Sequence, residues 1–270
     1  MDAGLFDVKA IADTNDGDTR QPLAYEDGAR LPDAVTIQYG PRDLMARLFL
    51  KADTEIRQRG IRLRVRHDFD ALLDLNLEEC RRGNWYRLPP MFDRRYVDVG
   101  MHNAFWLSGE DVNGDVVVTQ AARVYDWRGT SLAEQARELF YEGQDHDLPC
   151  HVTVPGAEHV RGMVCYSGST WFHPNYRRLG MSRMLPRISR TLAAATWGTD
   201  WTMSLVQRHL VDIGLARAYG YKSVDFSVLY PGSPWGDLNF ALVRMNALEM
   251  LRDAEDFVAQ RHIQEERQTA

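Results

Sequence analysis

Phe172-His173-Pro174-Asn175-Tyr176-Arg177-Arg178-Leu179-Gly180-Met181-Ser182-Arg183-Met184-Leu185 is the stretch on which the fold turns. Pro174 fixes a turn between an apolar run, 161–172 (RGMVCYSGSTWF), that reads as a strand and an amphipathic segment predicted to be helical over about 176–195. The first backbone N–H groups of a helix have no partner and sit at the positive end of its dipole, so such a turn attracts an anion. Gly180 and the small Ser182 let phosphate oxygens approach the backbone, while Arg177, Arg178 and Arg183 supply charge-assisted hydrogen bonds. The chemistry points to a diphosphate. Within the preceding strand, Gly168 permits a bulge or the close approach of another backbone.

Downstream of this stretch, the pattern predicts a strand over 201–206 and a helix over 211–219. A strand over 223–229, a Pro/Gly turn at 231–236 and a strand over 238–245 follow, and an amphipathic helix carrying Leu248, Leu251, Ala254, Phe257 and Val258 ends the pattern. Upstream, Leu44, Leu48, Ala52 and Ile56 have helical spacing that stops at Gly60, and 61–66 alternates apolar with charged residues as a half-buried strand does. Asp68 is placed to cap a helix running to about Arg82. Residues 83–101 read as a packed aromatic loop with a short helix, and 104–107 and 115–125 as a hairpin about an Asn-Gly turn. Residues 131–142 read as a helix.

The order of strands and helices is that of an α/β (α+β) chain. Its expected divisions are an irregular extension over 1–40, a leading helix over 41–60, a main domain over 61–246 with an insertion at about 126–160, and a helix and tail over 247–270.

Composition narrows the function. With 38 acidic against 32 basic residues the formal net charge is −6, which opposes a phosphate polymer as main partner. Three widely spaced cysteines fit neither a disulfide framework nor a thiolate zinc site. No apolar run approaches the roughly 18 residues of a membrane span, and the first residues lack a signal-peptide pattern, so a cytoplasmic location is expected.

The motif Arg177-x-x-Gly180-x-Ser182, preceded by Pro174-x-Tyr176, resembles the Arg/Gln-x-x-Gly-x-Gly/Ala motif of the GNAT superfamily of acyl-CoA N-acyltransferases. Gly220-Tyr221 stands in place of that family's Gly-Phe pair, Ser182 in place of its Gly/Ala, and the similarity covers about 61–246. It implies a GNAT-like fold, a mixed, mostly antiparallel central sheet with helices on both faces, splayed between the strands at 161–173 and 201–207 with the pantetheine arm in the gap. It also implies acetyl-CoA as co-substrate, held by Phe172, His173, Arg177, Arg178, Leu179, Gly180, Met181 and Ser182, with His209 at a pantetheine-contacting position. The acyl group would pass directly to an amine of a small molecule. Two other readings keep the fold: a long-chain N-acyltransferase resembling acyl-homoserine-lactone or N-acyl-amino-acid synthases, and a non-catalytic CoA-binding sensor or scaffold. A homodimer is left open.

An acid for the leaving thiolate is less direct, because Ala216 occupies the family's usual tyrosine position; Tyr219 is the candidate, with Tyr221 beside it. The motif strand carries no Asp or Glu, so a base would act through a water relay at Ser167, Ser169 or Tyr166. Glu110, Asp111 and Asp115 read as turn residues. Asp145, His146, Asp147, Cys150 and His151 read as a solvated loop rather than a metal site. Trp85, Tyr86, Phe92, Tyr96 and Trp235 are candidate walls for the acceptor, together with the insertion.

Overall fold

The sheet starts one strand earlier than the periodicity predicts. In the computed structural model, which describes residues 29–141, 149–233 and 236–260, β1 (Ala29–Arg30) pairs antiparallel with β2 (Arg62–Arg66). One helical turn follows β1, α1 (Leu31–Ala34), and buries Leu31 completely. Residues 29–34 are therefore part of the sheet and core rather than an irregular extension; residues 1–28 lie outside the described residues.

Then come α2 (Arg42–Arg57), β2, α3 (Phe69–Arg81), β3 (Ala104–Glu110) and β4 (Val116–Trp127). The helical spacing holds, since Leu44, Leu48, Ala52 and Ile56 are all buried on α2. Alternation on β2 buries Leu63 and Val65 and turns Arg62, Arg64 and Arg66 to the other side. The Asp68 carboxylate accepts from the amides of Asp70 (3.0 Å) and Ala71 (3.1 Å) and so caps α3 as expected. Residues 83–101 are a loop holding a short 3-10 turn, Pro90–Phe92.

The insertion begins with α4 (Leu132–Gln135) and α5 (Glu138–Tyr141), two short pieces where a single helix over 131–142 is predicted. The edge strand β5 (His151–Val152) leads to β6 (Gly162–Phe172). After it lie α6 (Leu185–Trp197), β7 (Trp201–Gln207), α7 (Arg208–Asp212) and α8 (Leu215–Ala218). The predicted 211–219 helix is thus two turns, split because Gly214 takes a left-handed φ of +83°. β8 (Ser223–Ser233), β9 (Gly236–Asn246) and α9 (Ala247–Ala259) complete the described chain, and Asn246 and Glu249 close a capping box on α9.

Among the described residues nine strands form one sheet, in the order β1-β2-β3-β4-β6-β7-β9-β8-β5, and every pairing but β6 with β7 is antiparallel. One face packs on α1, α2, α6, α8 and α9, the other on α3, α4 and α5, so the mixed sheet with helices on both faces is as predicted. Among the described residues, no helix is long and apolar enough to cross a membrane.

The β3–β4 hairpin carries a charge lock with a pH signature. Glu110, almost fully buried, accepts from Arg64 Nε at 2.8 Å and Arg66 Nη2 at 2.7 Å. Burial works to raise its carboxyl, and the two guanidinium groups outweigh that and hold it below the usual carboxylate range. A depressed carboxylate contributes stability above its unfolded pKa, about 4.3, and that contribution is lost as pH falls through the folded value. Glu110→Gln should therefore lower the melting temperature at neutral pH and cost progressively less in acid, as the carboxyl of the unaltered protein takes up its proton. Equal losses at neutral pH and in acid would assign the effect to packing instead.

Candidate functional site

Between β6 and α6 the chain does not run straight into a helix. Pro174–Tyr176 and Met181–Arg183 are separate 3-10 turns, and α6 begins only at Leu185, nine residues beyond the predicted start at 176. Arg178 (φ +65°) and Gly180 (φ +72°) are left-handed, which breaks any helical run between them. In place of the helix start expected at 176 there is a loop with left-handed residues at 178 and 180. Among the described residues, the N–H groups of Arg178, Leu179, Gly180, Met181 and Ser182 have no backbone acceptor.

The loop is held from four directions. Met181 and Met184 are buried in the core beneath it. The Tyr176 hydroxyl donates to Asp111 Oδ2 at 2.9 Å, which ties the loop to the hairpin turn. Arg177 donates through Nε to the Phe172 carbonyl and through Nη2 to the Asn84 carbonyl, both at 3.2 Å. Arg59, from the turn after α2, donates through Nε to the Leu179 carbonyl at 2.7 Å. Arg177 thus braces the loop with two of its donors, while Arg178 and Arg183 are exposed beside it. Leu179 and Gly180 are exposed, Ser182 is half-buried, and Phe172 and His173 are half-buried at the entry to the loop.

Next to the loop the sheet parts. β6 and β7 pair in parallel at only three positions, Val164–Trp201, Cys165–Thr202 and Tyr166–Met203. Beyond them β6 stays with β4 as far as Phe172, and β7 stays with β9 as far as Gln207, so the two strands diverge toward the loop as the resemblance implies. Where β6 leaves β7 it bulges: Ser169 and Thr170 together face Gln120, and Ser169 has a φ of +50°. Gly168 is needed there, because a Cβ would come within 2.9 Å of the Tyr166 ring and 3.2 Å of Phe92.

A chain of polar side chains lies behind the bulge. Thr170 donates to Gln120 Oε1, Gln120 Nε2 donates to Ser167 Oγ at 2.9 Å, and Ser167 and Ser189 hydroxyls are 3.2 Å apart. Tyr219 joins this chain by a hydrogen bond with Thr170, which brings the candidate acid against the bulged strand. Burial pushes its phenol up to about 12, against the smaller opposing effect of Thr170. Its carbonyl accepts from Arg190 Nη1 at 2.7 Å.

The remaining candidates divide clearly. Ser167 is engaged on both sides, and Tyr166 bonds to Ser204 and the Leu205 backbone across the strands. Among the described residues Ser169 Oγ is buried without a partner. Tyr221 is also buried, with its ring against the Arg190 guanidinium. His209 is exposed in the first turn of α7, at the end of β7.

Of the aromatic candidates, Trp85 stacks on Trp171 at 5.0 Å and Tyr86 is exposed. Tyr96 is partly exposed, whereas Phe92 is a core residue packed on Phe69 and Tyr166. Trp235 lies outside the described residues, as do Asp145, His146 and Asp147; among the described residues no three His, Cys, Asp or Glu side chains could share a metal ion. Periodicity misses Arg59, Gln120 and Thr170, because none belongs to a motif and each acts through a tertiary contact.

No family model matches this chain, and no curated protein matches it. Among solved structures it is similar to Arabidopsis thaliana NAA60 in complex with acetyl-CoA, at 12% identity over 70% of this chain and 99% of that one, with a TM-score of 0.42. It is similar as well to the aminoglycoside acetyltransferase AAC(6')-Ib in complex with coenzyme A and kanamycin, at 13% identity over 71% of this chain and 98% of that one, with a TM-score of 0.43.

Proposed function

We propose that the chain is an acyl-CoA-dependent N-acyltransferase that uses acetyl-CoA and a small-molecule amine. The observation that carries this reading is the row of five N–H groups without backbone acceptors, at residues 178–182, beside two parallel strands that part after three paired positions. The loop amides, with Arg178 and Arg183 at its rim, are suited to a diphosphate. The edges of β6 and β7 that face the gap leave backbone groups to pair with an extended amide-bearing arm such as pantetheine.

At the bulge, backbone N–H groups of β6 would steady the carbonyl oxygen of the thioester as the amine attacks. The new C–N bond forms as the C–S bond breaks. Tyr219 holds its proton at neutral pH, the form needed to donate to the departing sulfur, and recovers it through Thr170 or water. The amine's proton passes to water, with Ser169 the hydroxyl at the bulge that has no partner among the described residues. Trp85, Tyr86 and Tyr96 would wall the acceptor.

Calorimetric titration with acetyl-CoA, followed by an amine panel monitored for free thiol, tests this. Binding and release of CoA thiol are expected; failure to bind acetyl-CoA overturns the reading, and binding with no transfer to any amine favours a sensor. Tyr219→Phe should lower turnover about 10²-fold and leave acetyl-CoA affinity nearly unchanged. Full turnover in that variant would make Tyr219 a packing residue.

A further inference from the structure

We infer that Arg59 is a phosphate contact of the ligand held by the 173–184 loop, a role that rests on the acyl-CoA reading and goes beyond its motif. The Arg59 Nε donates to the Leu179 carbonyl at 2.7 Å and Nη1 donates to the Glu55 carbonyl, so the guanidinium is fixed in orientation by two neutral acceptors. Its Nη2 is the atom nearest Gly180, 4.0 Å from where a Cβ on that glycine would sit.

Of the buried and half-buried arginines, Arg66, Arg187, Arg190 and Arg244 are matched to carboxylates, whereas Arg123 donates to the Met91 carbonyl. Arg59 is half-buried yet has no carboxylate within ion-pair distance among the described residues. A planar cation held by carbonyls, with donors left over and turned toward a row of unbonded amides, completes a two-sided anion site: dipoles from the loop and a full charge from the end of α2. No spacing in the sequence links Arg59 to the motif 118 or more residues away; the link is made by the packing of the α2 terminus on Leu179.

The test separates charge from bracing. CoA and dephospho-CoA, which lacks the 3′-phosphate, are titrated calorimetrically into the full chain and into Arg59→Lys and Arg59→Gln, with thermal melts confirming that each variant folds. Arg59→Gln retains a donor for Leu179 without charge, and should weaken CoA by about 10- to 100-fold. Arg59→Lys restores the charge and should recover most of that loss. A loss equal for both ligands assigns the contact to the diphosphate, and a loss confined to CoA assigns it to the 3′-phosphate; either supports the role. Wild-type affinity in Arg59→Gln, or equal losses in the Gln and Lys variants, overturns it and leaves the acyl-CoA reading intact. Absence of CoA binding by the unaltered chain overturns both.

Discussion

Gly180→Glu should abolish acetyl-CoA binding while the protein still folds. Gly180 is exposed with a φ of +72°, and a Cβ there would meet only Arg59 Nη2 at 4.0 Å, so there is room for a side chain. Any L-residue pays a left-handed penalty of about 1–2 kcal/mol, small against the stability of a chain this size. The carboxylate, however, arrives beside the N–H groups of residues 178–182 and the free donors of Arg59. It takes the place of a phosphate and repels the ligand's own charge, so affinity should fall by roughly 10³-fold or more. Gly180→Ala carries the same strain without the charge and should lose no more than about tenfold. Calorimetry on both, with circular dichroism melts, checks the pair. If the Glu variant binds acetyl-CoA as the Ala variant does, the loop is not the phosphate site.

The parts of this fold that can be read along the chain are those written in local periodicity. β2 alternates, α2 and α3 keep helical spacing and carry their own stop or cap, and the Asp111–Asp115 turn is encoded by its Asx bonds and by Gly114 at φ +88°. Local pattern fails where backbone handedness changes within an apolar, helix-favouring stretch. Residues 176–184 have helical spacing, but Arg178 and Gly180 are left-handed, and 211–219 breaks at Gly214. The motif residues Arg177, Arg178, Gly180 and Ser182 are found together in the loop, yet Arg177 is turned to the Phe172 and Asn84 carbonyls, which no spacing predicts. Tyr219 could be named from its place before Gly220-Tyr221. Its contact with Thr170 depends on the β6 bulge, and that register is set by pairing with β4 rather than by the strand's own sequence.

Asp253→Ala should be among the most destabilising single changes in the described chain, and the reason is charge rather than volume. Asp253 on α9 accepts from Arg187 Nε and Nη2, both at 2.8 Å, and from Arg190 Nη2. The side chains of Arg190, Arg187 and Asp253 are 1%, 12% and 9% exposed. Two cations therefore share one buried anion, and their other donors reach nearby carbonyls: Arg190 Nη1 that of Tyr219 at 2.7 Å, and Arg187 Nη1 those of Ala218 at 3.3 Å and of Arg183. Gly220 fits because it has no side chain; a Cβ would lie 2.6 Å from both Arg187 Nη2 and Asp253 Oδ1. Removing the carboxylate leaves Arg190 buried without a counter-charge, which costs about 3–5 kcal/mol. For a chain of this length that lowers the melting temperature by roughly 6–20 °C. The triple variant Asp253→Leu with Arg187→Met and Arg190→Met takes the anion and both its cations out together and should recover much of the loss, because a buried ionic cluster replaced by apolar groups is often close to neutral. Turnover should not recover with it, since the Tyr219 carbonyl has lost the donor that places its ring against Thr170. If Asp253→Ala melts within a degree or two of the unaltered protein, water reaches Arg190 and the cluster does not hold the Tyr219 turn in place.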